Sequence, residues 1–161
     1  MAKRCEVSDG MRVYLCGRVM VECAERVVSD SGLAGRQGRL LFAYLMSRSG
    51  QPVSRADLMR ALWGDTPPRS ADTALNAVVS KLRGVLRRVG VVPPDGITSD
   101  VGTYRCAMQN AWIDLEAART AIDRAEGAWR AGDVVPAWTN CECLRRPSPV
   151  VRFCPMSSGR G

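Results

Sequence analysis

A helical stretch between residues 70 and 90 carries the side chains that could do chemistry. At 100° per residue its apolar residues fall on one broad side, and small, amide, hydroxyl and basic residues fall on the other. The polar side consists of Thr73, Asn76, Ala77, Ser80, Lys81, Gly84, Arg87 and Arg88, with Arg83 at its border. Asn can bond adenine, Ser donates or accepts, and Lys and Arg reach guanine or phosphate. The pattern favours a helix lying in the DNA major groove, and a solvated basic helix face is the alternative.

Signals at both ends delimit this helix. Ser70 is a preferred N-cap residue, and Asp72 complements the positive end of the helix dipole. Gly90 stands where a glycine stop is expected. We therefore predict a helix over residues 70–88, entered from a turn-rich loop at 64–69.

The elements that must position this helix follow the same kind of reasoning. Alternating, β-rich residues predict strands at 12–16 and 19–23 and a third short strand at 25–28. Periodic apolar residues predict a helix at about 35–49, with Leu40, Leu41, Tyr44 and Leu45 facing the core, and a short helix capped by Ser54. After the long helix, residues 97–107 read as a β-hairpin that includes Arg105. Strands, three helices and a hairpin predict one α+β domain over 11–108, a winged helix-turn-helix with the hairpin as its wing.

The charge distribution supports a polyanionic partner for this domain. The chain has 161 residues and a net charge of +7. Residues 1–110 hold 16 Lys and Arg against 10 Asp and Glu, whereas residues 111–140 hold 3 against 5. The basic character therefore belongs to the segment with the candidate DNA-contacting helix.

Composition argues against several other classes of protein. No apolar run is long enough to span a membrane, and the first residues lack a hydrophobic signal core, so we expect a cytoplasmic protein. The seven cysteines should then be reduced, with Cys16, Cys23 and Cys106 acting as small buried residues. Without His, and with no zinc-module spacing around Cys141 and Cys143, we expect no metal and no cofactor. No nucleophile has a base beside it and no glycine-rich phosphate loop is present, so we expect no enzyme.

A second region begins near residue 112. Leu115, Ala118, Ile122, Ala125 and Trp129 repeat at helical spacing, Asp114 is the expected cap, and Gly132 the expected stop. The pattern ends near residue 138, and residues 139–161 combine Cys, Pro and Arg without periodicity. We expect that tail to be disordered, and we assign residues 1–10 to an N-terminal tail. A reading-frame shift near residue 139 and a naturally short regulator with a basic tail are both open interpretations.

Motifs spread over residues 11–108 resemble the DNA-binding domain of the Streptomyces antibiotic regulatory protein (SARP) family and, more broadly, the OmpR-type winged helix of response regulators. They lie in order at 52–58, 61–65, 67–68, 74–76, 79–83, 86 and 102–105, the last reading Gly102-Thr103-Tyr104-Arg105. The region 112–138 resembles the opening of the TPR-like bacterial transcriptional activation domain of SARP regulators. The expected fold class is therefore a winged helix followed by an incomplete helical region.

The resemblance implies a transcriptional regulator, with secondary-metabolite genes as targets, that binds direct repeats in promoter DNA with two or more protomers side by side. It implies that Arg83 touches phosphate. It also implies that the loop before the long helix, Gly64, Asp65, Thr66, Pro67, Pro68 and Arg69, contacts RNA polymerase. Gly84 departs from the family pattern, in which a long side chain is usual. The second hypothesis is a truncated module that occupies DNA or a partner without activating transcription.

Overall fold

We describe a computed structural model that covers residues 10–48, 50–109 and 111–133. The described chain alternates short strands with four α-helices. In chain order these are β1 (Arg12–Tyr14), β2 (Met20–Cys23), β3 (Arg26–Ser29), α1 (Gly35–Ser47), β4 (Val53–Ser54), α2 (Arg55–Trp63), α3 (Ala71–Arg88), β5 (Gly96–Asp100), β6 (Thr103–Ala107), β7 (Trp112–Ile113) and α4 (Asp114–Arg130). The predicted α+β order of strands, three helices and hairpin is present.

The first sheet contains four strands in the order β3-β2-β1-β7. β1 and β3 both pair antiparallel with β2, so that Val13 faces Val21 and Val21 faces Val28. Val13 and Val21 are fully buried, so the side of the sheet that carries these paired valines faces the core. β7 adds to β1 in parallel, a pairing of two residues that no sequence periodicity indicated.

The second sheet is the wing, and it has three strands rather than two. β5 and β6 form the predicted hairpin, with Ser99 opposite Tyr104 and Asp100 opposite Thr103. β4 pairs antiparallel with β6, placing Val53 opposite Tyr104. The wing is therefore joined directly to the start of α2, which follows β4 without a loop.

The three helices α1 to α3 enclose one apolar core. α3 contributes six buried apolar residues, which are Leu75, Val78, Val79, Leu82, Val85 and Leu86. The stripe predicted for α1 is partly wrong, because Leu40 is 39% exposed and Tyr44 is half-buried. Phe42 and Met46 are buried instead, together with the predicted Leu41 and Leu45. This rotates the buried side of α1 relative to the predicted stripe.

The helix ends differ from the expected caps at two positions. Ser54 accepts a hydrogen bond from the Asp57 amide at 3.1 Å, as expected of an N-cap. Ser70 precedes α3 but makes no side-chain capping bond, so its predicted role is wrong. Asp114 begins α4 and binds elsewhere, accepting the amides of Leu15 and Cys16 at 2.8 and 2.9 Å. Its carboxylate therefore ties the end of β1 to the start of α4.

The described cysteines occupy three different environments. Cys106 is buried in the wing, as expected, and burial raises the pKa of its thiol to about 12. Cys16 is exposed rather than buried. Cys23 is buried in β2 but is disulfide-bonded, which contradicts the expectation that every cysteine is reduced.

α4 forms the predicted amphipathic helix, and the division between two compact units falls within it, between Ala117 and Ala118. Its apolar stripe is not uniformly buried. Ala125 is buried, whereas Ile122 and Trp129 are 45% and 69% exposed. The end of the helical pattern near residue 138 and the tail expected at 139–161 lie outside the described residues, as do residues 1–9. Within the described chain, no helix has the length and apolar character needed to cross a membrane.

Candidate nucleic-acid interface

The site is built on α3, whose two sides differ completely in exposure. One side is buried in the core, as described above. On the other side, every predicted contact residue except the half-buried Arg83 is exposed. These are Thr73, Asn76, Ala77, Ser80, Lys81, Arg87 and Arg88. The structure thus brings these seven residues onto one continuous solvent-facing surface, which we call the α3 face.

The α3 face is uncharged in its first turns and basic in its last. Thr73, Ala77 and Ser80 are small, so they let a partner approach the helix closely. Arg87 and Arg88 occupy the last turn, where they also complement the negative end of the helix dipole. Asp72 is the one acidic residue of α3, and it is ion-paired with Arg55. The unpaired charge on this helix is therefore positive.

The wing presents its two faces in opposite directions. Ile97, Ser99 and Tyr104 alternate onto the side that packs towards α3, while Thr98 and Arg105 are exposed on the other side. The turn between β5 and β6 consists of Val101 and Gly102, and Val101 is 97% exposed. Arg105 is therefore accessible, but it does not belong to the α3 face.

Arg83 joins α3 to the wing. Its Nε donates to the carbonyl oxygen of Ile97 at 2.9 Å, and its Nη2 donates to Ser99 Oγ at 3.1 Å. A guanidinium has five N–H donors, so Nη1 is still able to meet a phosphate. Arg83 therefore supports the position of the wing whatever else it binds.

Arg55 makes a second, denser connection between α2, α3 and the wing. From the first turn of α2, its Nε bonds Asp72 Oδ1 and its Nη2 bonds the Asp72 carbonyl at 2.9 Å. Nη1 and Nη2 both donate to Asn76 Oδ1 at 3.1 Å, and Nη1 also donates to the Tyr104 hydroxyl at 2.8 Å. The hydrogen bond to Asp72 is the main cause of the raised pKa of Arg55.

The loop between α2 and α3 is exposed throughout. All six residues from Gly64 to Arg69 are solvent-facing, and Gly64 has a φ of +61°, which suits glycine. Thr66 folds the loop back on α2, since its amide donates to the Trp63 carbonyl at 3.2 Å. The loop is therefore an ordered, accessible projection beside the first turn of α3.

The sequence did not predict a role at this site for three residues that the structure brings to α3. Arg55, Tyr104 and Ser99 contact α3 or side chains on it, although they lie 17, 28 and 16 residues from their partners Asp72, Asn76 and Arg83. A single sequence carries no periodic signal for contacts at such separations. Arg55 stands inside a motif that carried the family resemblance, but the motif gave no indication of its partners.

The same elements are found in a known family of transcriptional regulators. The model of the family "Transcriptional regulatory protein, C terminal" matches residues 20–102. This range runs from β2 to the turn of the wing and covers more than half of the chain. The chain belongs to this family. The resemblance predicted from the sequence is confirmed, since a winged-helix transcriptional regulator of the OmpR and SARP type is what the comparisons support.

Two curated relatives are regulators from Streptomyces. The Regulatory protein AfsR of Streptomyces griseus is 28% identical over 132 residues, which is 82% of this chain and 13% of the relative. The Regulatory protein AfsR of Streptomyces coelicolor is 34% identical over 102 residues, 63% of this chain and 10% of the relative. The chain thus spans 13% and 10% of the length of these two relatives, whose names describe them as regulatory proteins.

A solved structure supports the fold of this family member. EmbR of Mycobacterium tuberculosis, solved in complex with a low-affinity phosphopeptide, aligns with a TM-score of 0.70 and 24% sequence identity. The alignment covers 84% of this chain and 35% of EmbR. The predicted winged-helix fold of this transcriptional regulator is therefore confirmed.

Proposed function

We propose that this chain is a sequence-specific regulator that binds double-stranded promoter DNA, with residues 11–108 as the DNA-binding domain. The observation that carries the proposal is the α3 face: a helix buried on one side exposes small polar and basic residues on the other. An α-helix of this kind fits the major groove, where base edges can be distinguished. The family membership supports the same function.

Residues of the α3 face contact different groups of the DNA according to their chemistry. Thr73, Ala77 and Ser80 approach base edges, with Ala77 suited to the thymine methyl group and the hydroxyls to donor or acceptor positions. Lys81, Arg87 and Arg88 bind guanine edges or phosphates, which set the register on the duplex. Arg83 reaches phosphate through Nη1 while it holds the wing.

The wing contributes the remaining contact. Its turn projects Val101 beyond the sheet, and Arg105 is the basic residue of β6. We place this edge against the phosphates that flank the site or in the adjacent minor groove. Because Arg105 lies on the wing face turned away from α3, it meets a phosphate other than those bound by α3.

The finer parts of the function rest on the resemblance to SARP regulators. We propose direct-repeat sites occupied by two protomers, secondary-metabolite genes as targets, a cytoplasmic location, and RNA polymerase as a partner of the loop from Gly64 to Arg69. The loop is exposed and ordered, as such a contact requires. Asp65→Ala with Arg69→Ala should leave duplex affinity unchanged and reduce transcription from the bound promoter in a reconstituted assay.

Salt dependence tests the assignment of the basic residues. The duplex is the sequence that the full chain enriches from a randomised library, and its affinity is measured by fluorescence anisotropy over a range of salt concentrations. Lys81→Ala and Arg87→Ala should each weaken binding. A variant whose lost side chain bound a phosphate should also reduce the slope of log K against log salt by about one unit, because one phosphate is no longer neutralised.

Arg124→Ala provides the matched control for these variants. Arg124 is an exposed arginine of α4, so its removal changes the net charge equally without touching the α3 face. This variant should keep the parent slope. If Lys81→Ala and Arg87→Ala bind the duplex with both the affinity and the slope of the parent, the assignment of the α3 face to DNA is wrong.

A further inference from the structure

We propose that Arg55, Asp72, Asn76 and Tyr104 form a clamp that fixes the wing relative to α3, and that Asn76 is a positioning residue rather than a base-reading one. The proposal rests on the function proposed above and deepens it, because it changes which residues of the α3 face determine sequence preference. We refer to these four residues as the Arg55 clamp.

The clamp joins three elements through one guanidinium. Asn76 and Asp72 come from successive turns of α3, and Tyr104 comes from β6. Arg55 bonds all three, and the Tyr104 hydroxyl donates in turn to Asn76 Oδ1 at 3.3 Å. Tyr104 is buried, and the bonds of its hydroxyl with Arg55 and Asn76 are partly buried, whereas the bonds from Arg55 to Asp72 and Asn76 are exposed to water.

The backbone reinforces the same connection. The Arg55 amide donates to the Gly102 carbonyl in the wing turn at 3.0 Å. The two residues before it pair with β6, with Ser54 opposite Thr103. The start of α2 is therefore bonded to the wing through its main chain and to α3 through the Arg55 side chain. That geometry fixes how far the wing lies from the α3 face.

The chemistry of the clamp conflicts with adenine recognition by Asn76. A bidentate contact to adenine needs the amide oxygen to accept from N6 and the amide nitrogen to donate to N7. Arg has donors only, so the atom of Asn76 that meets Arg55 must be the oxygen. This oxygen already receives two guanidinium N–H groups and the Tyr104 hydroxyl. An amide oxygen has two lone pairs, so adenine would have to displace part of the clamp.

A substitution series at position 76 separates the two roles. Asn76→Asp keeps the oxygen that Arg55 and Tyr104 require but removes the amide donor that adenine requires. Asn76→Ala removes both. The probe is a randomised duplex library, and the readout is the motif that each full-length variant enriches.

The clamp predicts that Asn76→Asp and the parent enrich the same motif. Asn76→Ala should enrich that motif too, with affinity for the parent's duplex reduced about tenfold. If Asn76→Asp loses an adenine that the parent selects, Asn76 reads the base and the proposal is overturned.

Hydrogen exchange tests the positioning role without DNA. The Arg55 amide, bonded to Gly102, reports the connection of α2 to the wing. Exchange at this amide should be about tenfold faster in Asn76→Ala and should return to the parent rate in Asn76→Asp. Amides in the middle of α1 should be unaffected in both. Unchanged exchange in Asn76→Ala would overturn the clamp.

The control for removing an arginine side chain is Arg39→Gln. Arg39 pairs with Asp30 at 3.5 Å, away from the clamp, so this substitution should leave the Arg55 amide protected. Arg55→Gln should accelerate hydrogen exchange both at the amide of residue 55 and at the amides around Thr103. The two experiments can disagree. If the parent chain enriches no DNA motif, the DNA-binding proposal is refuted. The clamp is still supported in that case if Asn76→Ala accelerates exchange at the Arg55 amide.

Discussion

At the scale of single residues, exposure on a helix surface was predictable, but the bonds made by the exposed residues were not. The sequence placed Asn76 and Arg83 at the polar side and border of α3, where the structure finds them. Both are bonded by residues that lie 14 to 28 positions away in the chain. Periodicity reports which side of a helix a residue occupies, and it says nothing about a partner on another element.

The buried thiol of Cys106 gives a residue-scale prediction. Burial raises the pKa of this thiol to about 12, whereas an unfolded thiol titrates near about 8.5. The folded state therefore keeps a proton that the unfolded state loses, and this contribution to stability is complete below about pH 8.5 and disappears as the pH rises towards 12. The free energy of unfolding in urea should fall between about pH 8.5 and 10.5 with a component approaching about 1.4 kcal/mol per pH unit.

Cys106→Ala isolates this component from the other groups that titrate at alkaline pH. The variant should be less stable than the parent near neutral pH, because it leaves space in the wing, but its stability should fall less steeply as the pH rises. Parallel curves for the two proteins would show that Cys106 does not titrate as its burial requires.

At the scale of elements, long periodic segments were predicted well and short ones poorly. α3 and α1 follow the predicted bounds closely, because apolar spacing over several turns defines them. β7 has two residues and joins β1 in parallel, and β4 has two residues and extends the wing. Strands this short carry no alternation to detect, so their pairing follows from tertiary contacts alone.

Gly84 gives an element-scale prediction for α3. It lies within the helix, and a Cβ built on it would meet no atom within 4 Å. Gly84→Ala should therefore raise the free energy of unfolding by about 0.5–1 kcal/mol, since alanine loses less backbone entropy in a helix. Chemical denaturation of the two proteins measures the difference.

Gly38→Ala in α1 is the matched control, and it should change stability in the opposite direction. Its Cβ would lie 2.1 Å from the Leu33 carbonyl oxygen, so the backbone would have to shift. This substitution should cost about 1–3 kcal/mol despite the better helix propensity of alanine. Equal effects of the two substitutions would contradict the packing described for these helices.

At the scale of the whole molecule, the motifs spread in order over residues 11–108 were sufficient to predict the family. The excess of basic residues belongs to residues 1–110, and the family model covers 20–102. The surroundings of α4 were less predictable, because an apolar stripe does not specify which of its residues become covered. Ala125 is buried, while the larger Ile122 and Trp129 are exposed. The central claim is the proposal that the α3 face binds the DNA major groove, with the wing turn and Arg105 contacting the flanking duplex.

Chemical-shift mapping of the isotope-labelled full chain with its enriched duplex tests that claim most directly. We expect the largest backbone shifts at Thr73, Ala77, Ser80 and Lys81, with further shifts in the wing turn and at Arg105. The backbone amides of exposed residues in β3 and α4, including Val27 and Trp129, should keep the chemical shifts of the free protein. Both side chains are exposed, so they are suitable controls for nonspecific contact. Shifts concentrated on β1 to β3 or α4, with the α3 face unchanged, would contradict the account.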